Sequence, residues 1–299
     1  MIDFKPLTTE DKPLYEEYFH KSGRRGCEFS FLNVFLWGEQ KYAILNGCLL
    51  LLSKFADNYY YSYPFSDGDV IKTIKDIIAD SKARSIPCII SGITPCEKEL
   101  LEKEFPETFS FSTTEDSYDY VYDIENLSTL SGKKYHGKRN HINKFFESYP
   151  HAVAEIMSKN NLSDVKEMAE QWFSDRASRV PEHTFDLERM ALSKFFDNFE
   201  SLDADGMILK NGNDILAFTV GSPFYEDTFD VHCEKASEDT DGAYPVINQE
   251  FAKYIKEKYP KIKFLDREED MGLEGLRRAK QSYRPVFMVE KWRAELRDK

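Results

Sequence analysis

The sequence lacks any apolar run long enough to cross a membrane. Its longest, CLLLL at 48–52, has five residues, whereas a membrane-spanning helix needs about 20. The opening MIDFKPLTTEDK has no cationic segment followed by an apolar one, as a secretory signal would. The five cysteines contain no CxxC pair, which argues against a disulfide framework and against a zinc site. We therefore expect a cytoplasmic protein without transmembrane segments or a metal centre.

Three common catalytic signatures are also missing: GxxxxGK[ST], HExxH and GxSxG. Their absence argues against a P-loop nucleotide site, a zinc protease and a nucleophile-elbow hydrolase. The net charge of −13 would repel nucleic acid and anionic membranes on average, so we expect no DNA partner. Any anionic partner must be bound by a local basic surface.

The remaining composition is that of a folded protein with a large core. The chain has 299 residues, of which 41% are hydrophobic and 14% aromatic, and this length favours two domains over one. A similar order of elements is visible in each half. In the first half, a hairpin with an Asn46-Gly47 turn precedes a third strand, a helix at VIKTIKDIIADSKA and the strand PCIISGI.

In the second half, a hairpin with an Asn211-Gly212 turn precedes a third strand, a helix at AYPVINQEFAKYIKEKY and the strand KIKFLD. A further helix, GLEGLRRAKQSY, leads into one final strand, PVFMVEKW. Asn-Gly between strand-like runs is a strong hairpin signal, and the matched order indicates a duplication. We predict domains at 1–128 and 129–299, the second entered through a basic helix at 131–149.

The repeated order resembles the GCN5-related acyltransferase (GNAT) fold. It predicts the α/β (α+β) class, with two tandem GNAT-like domains built on mixed central sheets. Four segments are similar to the family related to the C-terminal domain of phosphatidylglycerol lysyltransferase, whose members resemble Fem-type aminoacyltransferases in fold. These segments are EFSFLNVFLWGEQKYAIL, SGKKYHGKRNHINKFFESYP, GAYPVINQEFAKY and FLDREEDMGLEGLRRAKQSYRPV. The resemblance implies acyl or aminoacyl transfer.

The stretch KKYHGKRNHINKF at 133–145 contains five Lys or Arg and no acid. On a helix, Lys138 falls within its apolar arc and Arg139 lies at the border. The arc consists of Tyr135, Ile142, Phe145, Phe146 and Tyr149. Either Lys138 and Arg139 pair with acids of the second half, or they line a cleft and hold phosphate.

The family resemblance adds an expectation for this basic segment. It implies contact with the end of an aminoacyl-tRNA, or with a similar anionic donor, through Lys134, Arg139, Asn140 and Asn143. Together with Lys138, these residues form the predicted donor-binding set. The acceptor is open: a small molecule, a peptide or a lipid headgroup.

The strand DTFDVHCE carries the candidate chemistry. Its period of two places Asp230, His232 and Glu234 on one face, where a histidine or carboxylate can remove a proton from an attacking nucleophile. The alternative is an ordinary solvated face. The run DREED begins where the next strand ends, and we prefer Asp266 and Arg267 within it as site residues.

The loops before the two equivalent helices are acidic. KASEDTDGAY places Glu238, Asp239 and Asp241 at a helix N-terminus, where they satisfy the helix dipole and repel phosphate. PFSDGDV in the first half is acidic as well. These loops disfavour a coenzyme A thioester as donor. Three hypotheses therefore stay open: an aminoacyltransferase, a coenzyme A-dependent N-acyltransferase, and a non-catalytic GNAT-like binding module.

Overall fold

A computed structural model describes residues 1–55, 57–65, 68–177 and 185–297 of the protein, without the side chain of Ala177. The α-helices of this part are α1 (Lys12–Ser22), α2 (Phe31–Leu36), α3 (Val70–Arg84), α4 (Pro95–Glu104), α5 (Ile124–Thr129), α6 (His136–Ser148), α7 (Leu162–Ala177), α8 (Asp186–Asp197), α9 (Ala243–Lys258) and α10 (Glu274–Gln281). No helix of the described part combines the length and the hydropathy needed to span a bilayer.

The strands form two sheets of seven. They are β1 (Lys5–Pro6), β2 (Glu39–Leu45), β3 (Cys48–Phe55), β4 (Asn58–Ser62), β5 (Ile89–Ile93), β6 (Phe109–Thr113), β7 (Asp119–Asp123), β8 (Ala152–Ile156), β9 (Asp205–Asn211), β10 (Asp214–Tyr225), β11 (Thr228–Ala236), β12 (Phe264–Asp266), β13 (Phe287–Val289) and β14 (Trp292–Leu296). The first sheet has the order β1-β2-β3-β4-β5-β14-β6, and the second has the order β13-β7-β12-β11-β10-β9-β8.

The two sheets repeat one topology. Three antiparallel strands, β2 to β4 or β9 to β11, are followed by a parallel neighbour, β5 or β12. Beside that neighbour lies β14 in the first sheet and β7 in the second, so each sheet includes one strand from the other half of the sequence. The predicted class, the mixed sheets and the repeated order are confirmed.

The chain folds into two units, each built from more than one segment. Unit 1 comprises Met1–Asp119, Glu269–Leu273 and Val289–Lys299, and unit 2 comprises Tyr120–Glu268 and Glu274–Met288. Because the units interleave along the sequence, no single cut separates them. The domain boundary between residues 128 and 129 stays a prediction.

Each unit buries one face of its long helix against its own sheet. In unit 1, Ile74 and Ile77 of α3 lie in one core cluster with Leu50 of β3. In unit 2, Val246 and Phe251 of α9 share a cluster with strand residues of the second sheet. Burying one such side chain contributes about 1.5–3 kcal/mol, so these spaced apolar positions fix the helices onto the sheets.

The two hairpins differ in where the Asn-Gly pair lies, by one residue relative to the turn. In the first, Asn46 (φ 51°) and Gly47 (φ 80°) form the predicted turn, and Leu45 pairs with Cys48. In the second, Asn211 still belongs to the ladder and pairs with Asp214. The turn therefore consists of Gly212 (φ 64°) and Asn213. The Asn211-Gly212 prediction is one residue early, because the glycine takes the first turn position, where the positive φ lies, and Asn211 stays in the strand.

The final predicted strand is also corrected. PVFMVEKW is not one strand: Phe287–Val289 belongs to the second sheet and Trp292–Leu296 to the first. Between them, Lys291 is held by carboxylates of unit 1, 2.6 Å from Asp119 and 2.8 Å from Glu28. These ion pairs therefore lie where the chain passes from one sheet to the other.

The basic segment begins with a 3-10 turn at Lys133–Tyr135 and continues as α6. Tyr135, Ile142 and Phe145 are buried as predicted, but Phe146 is 39% exposed. Consecutive helical residues point about 100° apart, so the narrow face that buries Phe145 leaves Phe146 outside it. The inclusion of Phe146 in the apolar arc is therefore wrong.

Candidate functional site

The polar face of β11 is shaped by a β-bulge. Val220 pairs with Cys233 and Gly221 with Val231, so His232 has no partner on β10. A bulge of this kind turns the side chain of the extra residue in a new direction. Gly221 is required opposite it, because a Cβ there would lie 2.3 Å from the Asp230 carbonyl oxygen.

His232 bridges a hydroxyl and two carboxylates within unit 2. Its Nε2 lies 2.9 Å from Ser222 Oγ, and its Nδ1 lies 3.3 Å from Glu268 Oε1 and 3.4 Å from Asp230 Oδ2. The imidazole is 3% exposed and the Asp230 side chain fully buried. Carboxylates beside Nδ1 favour the tautomer with its proton there, which leaves Nε2 to accept from Ser222. The alternative of a solvated face is wrong for these residues.

Glu268 is held in position by its backbone. It has a left-handed conformation (φ 58°), which is uncommon for a residue with a side chain and is often found at functional sites. Its N–H donates to Asp266 Oδ1 at 2.8 Å, and its carbonyl accepts from Lys280 Nζ at 3.0 Å and from Tyr120 N–H at 3.1 Å. These contacts orient the carboxylate toward His232.

A second polar cluster begins two residues along β11. Glu234 pairs with Arg267 at 2.9 Å, and both side chains are nearly buried, at 10% and 12% exposed. The guanidinium lies over the rings of Tyr122 and Tyr283. Burial disfavours the charged guanidinium, but Glu234 and the two tyrosines outweigh burial and hold the pKa of Arg267 above its ordinary value.

This cluster has unused hydrogen-bonding capacity. Arg267 Nη1 and Asn248 Oδ1 are buried without a hydrogen-bond partner, although Asn248 also donates to Glu234. Lys138 Nζ lies 3.8 Å from the Tyr283 ring centroid, and no carboxylate of the described residues is within 4.0 Å of it. Burial, with a smaller effect of Arg267, lowers the pKa of Lys138 to about 8. Arg267 Nη1 and Lys138 Nζ therefore have donor capacity that Glu234 does not use.

The predicted donor-binding residues separate into two groups. Lys138 faces the site, whereas Asn140 and Asn143 on α6 are exposed, as is Lys134 in the 3-10 turn before it. Arg139 contacts no acid among the described residues: its guanidinium donates to the Leu130 carbonyl, and to the Gly132 carbonyl at 2.8 Å. Arg139 thus holds the turn that precedes α6. A role of these residues in binding a donor stays a prediction.

The N-terminus of α9 is covered by α6. A Cβ on Gly242 would lie 2.7 Å from the His141 carbonyl oxygen and 2.9 Å from Phe145 Cβ. Of the acidic loop before it, Glu238 pairs with Arg176 at 2.9 Å. Such a helix end has little room for a phosphate. Ser66 and Asp67, in the acidic loop of the first half, lie outside the described residues.

Unit 1 contains a buried charge cluster of its own. Lys291 Nζ lies 2.6 Å from Asp119, 2.8 Å from Glu28, 3.3 Å from Cys27 Sγ and 3.6 Å from Glu269. Burial disfavours its charge, but Asp119 and the other acidic neighbours keep the pKa of Lys291 well above its ordinary value. The Lys291 ammonium therefore balances the negative charge of the carboxylates around it.

Two groups of the described residues have the side chains to ligate a metal. They are Cys27, Asp119 and Glu269, and Asp230, His232 and Glu268, with donor atoms within 4.8 Å in each group. Lys291 already satisfies the first group, and in the second His232 is engaged by Ser222 and the carboxylates.

Sequence reasoning missed Ser222 and Glu268. Glu268 belongs to the run DREED, in which Asp266 and Arg267 were preferred because they are closest to the strand end. Ser222 has no local signal, because its partner lies across a bulged strand pair whose register cannot be read from sequence.

The comparisons with known proteins agree on family and fold. A conserved protein of unknown function from Bacteroides thetaiotaomicron VPI-5482 is 35% identical over 99% of this chain and 100% of that chain, with a TM-score of 0.91. L-PGS from Bacillus licheniformis is 17% identical over 97% of this chain and 93% of that chain, with a TM-score of 0.68.

More distant matches extend these comparisons. FemX and a tandem GNAT protein from the clavulanic acid biosynthesis pathway share the fold, at TM-scores of 0.59 and 0.52 and identities of 11% and 6%. FemX aligns over 99% of this chain and 98% of its own, and the tandem GNAT protein over 100% of both. The tandem GNAT architecture is thereby confirmed.

An uncharacterized protein from Mycoplasmoides gallisepticum is 24% identical over 183 residues. That match spans 60% of this chain and 56% of the relative's length. The family model named phosphatidylglycerol lysyltransferase, C-terminal, matches residues 19–295. The chain therefore belongs to the phosphatidylglycerol lysyltransferase C-terminal family.

Proposed function

We propose that the protein transfers an aminoacyl group from an aminoacyl-tRNA, or a similar anionic donor, to an amine or hydroxyl acceptor. The observation that carries this proposal is the polar face of β11 in unit 2. There a buried histidine is backed by two carboxylates, and the next residue on that face binds Arg267. The arrangement joins a proton acceptor to two cations, Arg267 and Lys138, that can each donate to a further oxygen.

Each group has a defined part in the transfer. His232 Nε2 removes a proton from the nucleophile, and Asp230 and Glu268 stabilise the imidazolium that forms. The ester carbonyl gains negative charge as it is attacked, and Arg267 and Lys138 stabilise that oxygen. Glu234 holds the Arg267 guanidinium in place through their 2.9 Å ion pair.

The aminoacyl part of the proposal is supported by the family, which is named for a lysyltransferase, and by the fold shared with L-PGS and FemX. The exposed basic residues of α6 supply a local surface for a phosphate-containing donor on a chain of net charge −13. Charged tRNA is available in the cytoplasm, where this proposal places the protein.

A coenzyme A thioester is the less favoured donor. Pyrophosphate binding needs free backbone N–H groups at a helix N-terminus. Here α6 lies against Gly242, and the preceding loop is acidic. These features support a donor held by α6 and the unit 2 cluster instead.

The test is a transfer assay with purified protein and a pool of tRNA charged with radiolabelled amino acids. We expect ribonuclease-resistant label on an acceptor from a metabolite, peptide or lipid-headgroup fraction, and loss of that transfer in His232→Gln. Acetyl-CoA serves as the competing donor in parallel reactions. Transfer from acetyl-CoA alone, or no transfer from any charged tRNA with any fraction, would contradict the proposal.

A further inference from the structure

Ser222 has a setting unlike that of four other buried serines. Ser81 and Ser128 donate to backbone carbonyls of their own helices, and Ser30 and Ser62 accept from backbone N–H groups. Those hydroxyls satisfy the backbone. Ser222 instead meets an imidazole nitrogen, His232 Nε2, at 2.9 Å.

The groups behind His232 complete a nucleophile, base and acid series. Its other nitrogen lies 3.3 Å from Glu268 and 3.4 Å from Asp230. A serine hydroxyl within about 2.6–3.2 Å of a base that is itself oriented by a third group defines an activated nucleophile. Such sets are recognised by geometry and occur in unrelated folds without a shared motif.

The backbone around Ser222 and Glu268 is committed to this geometry. The bulge at His232 requires Gly221 beside Ser222. Across the sheet, the buried Lys280 fixes the carbonyl of the left-handed Glu268. Two uncommon backbone features therefore converge on one hydrogen-bonded series, Ser222, His232 and Glu268.

We propose that Ser222 is a nucleophile that carries the acyl group as a covalent ester between donor and acceptor. This inference rests on the proposed function for the identity of the donor but not for the chemistry of the serine. In the first half-reaction, Ser222 Oγ attacks the carbonyl carbon of the donor ester, and His232 Nε2 takes the Oγ proton. The donor C–O bond breaks, and Nε2 returns the proton to the leaving ribose oxygen.

The second half-reaction transfers the acyl group from Ser222 to the acceptor. The amine or hydroxyl of the acceptor attacks the acyl-serine carbonyl, and Nε2 removes its proton. The bond to Ser222 Oγ breaks, and Oγ regains a proton from Nε2. The net change is one acyl group moved between two nucleophiles, with no oxidation or reduction and no other reactant.

An activated ester tests the serine without tRNA. The full chain is incubated with p-nitrophenyl acetate, and its intact mass and digested peptides are measured by mass spectrometry. We expect one acetyl group on the peptide that contains Ser222, and an initial burst of p-nitrophenol. Ser222→Ala removes both signals, and His232→Gln slows acylation about 10²-fold or more.

Two further variants separate chemistry from folding. Ser128→Ala removes a buried hydroxyl of the same unit that donates to its own helix, and it should leave acylation unchanged. Ser222→Cys keeps a nucleophile and should form a thioester that hydroxylamine releases. Folding of each variant is checked by its thermal melt.

The outcomes distinguish this inference from the proposed function. Absence of acylation in the folded wild type, or equal acylation of Ser222→Ala, overturns the covalent step. So does tRNA-dependent transfer that Ser222→Ala performs at the wild-type rate, although that result keeps the aminoacyltransferase. Acylation confined to Ser222 without any transfer from charged tRNA supports the nucleophile and removes the tRNA donor.

Discussion

Each unit contains a lysine beside other charged groups, and the two are used in opposite ways. Lys291 in unit 1 is fixed by carboxylates at 2.6 Å and 2.8 Å, which keep its pKa high. Lys138 in unit 2 rests on an aromatic ring beside Arg267, and its pKa is lowered to about 8. The same topology therefore supports a structural cation in one unit and a cation with unused capacity in the other.

The equivalent strands show the same contrast. β4 of unit 1 reads NYYYS and carries no charged residue, whereas β11 of unit 2 carries Asp230, His232 and Glu234. Because the two strands hold the same place in their sheets, position in the fold does not determine the chemistry. The side chains placed on the strand do.

The strongest test of this asymmetry exchanges the base on β11. His232→Gln removes the proton acceptor but keeps a polar side chain, so we expect transfer to fall by about 10²–10⁴-fold. Tyr60→Phe on β4 is the control and should leave the rate unchanged. The rates come from label transfer at saturating donor. Comparable losses in the two variants would end the assignment of chemistry to unit 2.

The next effect concerns stability of unit 1. Lys291→Met leaves the buried Asp119 without its cation, so we expect the free energy of unfolding to drop by about 3–5 kcal/mol. Urea denaturation measures the loss. The double variant Lys291→Met/Asp119→Asn removes both charges and should recover part of it. A neutral single variant would show that the cluster is not a structural ion pair.

The loss should also depend on pH. Burial raises the pKa of Asp119, and the charge of Lys291 is the largest effect that opposes this rise. Lys291→Met removes that opposition. A carboxyl with a raised folded-state pKa binds a proton on folding, so stability is present at low pH and declines as pH rises. Lys291→Met should therefore lose less stability at pH 5 than at pH 8. An identical loss at both values would contradict the expected protonation of Asp119.

A substitution at the β-bulge of unit 2 should reduce stability by a smaller amount. Gly221→Ala places a methyl group against the Asp230 carbonyl and the Phe229 ring, and overpacking of this kind costs about 1–3 kcal/mol. Gly275→Ala in α10 meets nothing within 4 Å and should be neutral or stabilising. Thermal melts measure the stability of both variants. Equal stability of Gly221→Ala and Gly275→Ala would contradict the prediction and show that the bulge relaxes easily.

The smallest expected effect is on the pH dependence of stability, through Lys138. The folded-state pKa of Lys138, about 8, lies below its ordinary 10.5, so between these values the unfolded chain binds more protons and stability rises with pH. Arg267, Glu234 and Tyr283 face the ammonium, and none of these is altered in Lys138→Met. In the variant, the rise of the free energy of unfolding with pH should be smaller by the contribution of about one bound proton. Urea titrations at pH 7.5, 9 and 10 measure it, and parallel slopes would refute the lowered pKa.

The fold followed from local patterns. Asn46-Gly47, the apolar spacing of α3 and the run GAYPVINQEFAKY each report on neighbouring residues, and together they predicted the repeated sheet order. The strand exchange was missed because PVFMVEKW looks continuous. Its division appears only in the pairing of the strands, because Phe287–Val289 joins the second sheet and Trp292–Leu296 the first.

The candidate site was predicted in part. The period of a strand placed Asp230, His232 and Glu234 together, and the helical phase placed Lys138 inward. Ser222 and the orientation of Glu268 depend on a bulge and on a left-handed residue. The bulge is set by the register of β10 against β11, and the conformation of Glu268 by contacts such as that with Tyr120, far away in sequence. No local pattern contains either one.

The strand exchange bears on the order in which the protein can be completed during synthesis. β14 lies between β5 and β6 in the first sheet, yet it follows every strand of the second sheet along the chain. A ribosome therefore releases all strands of the second sheet before the first sheet can close. Until residues 292–296 emerge, β5 and β6 have open edges, so the sheet whose strands are made first cannot be completed before the end of synthesis.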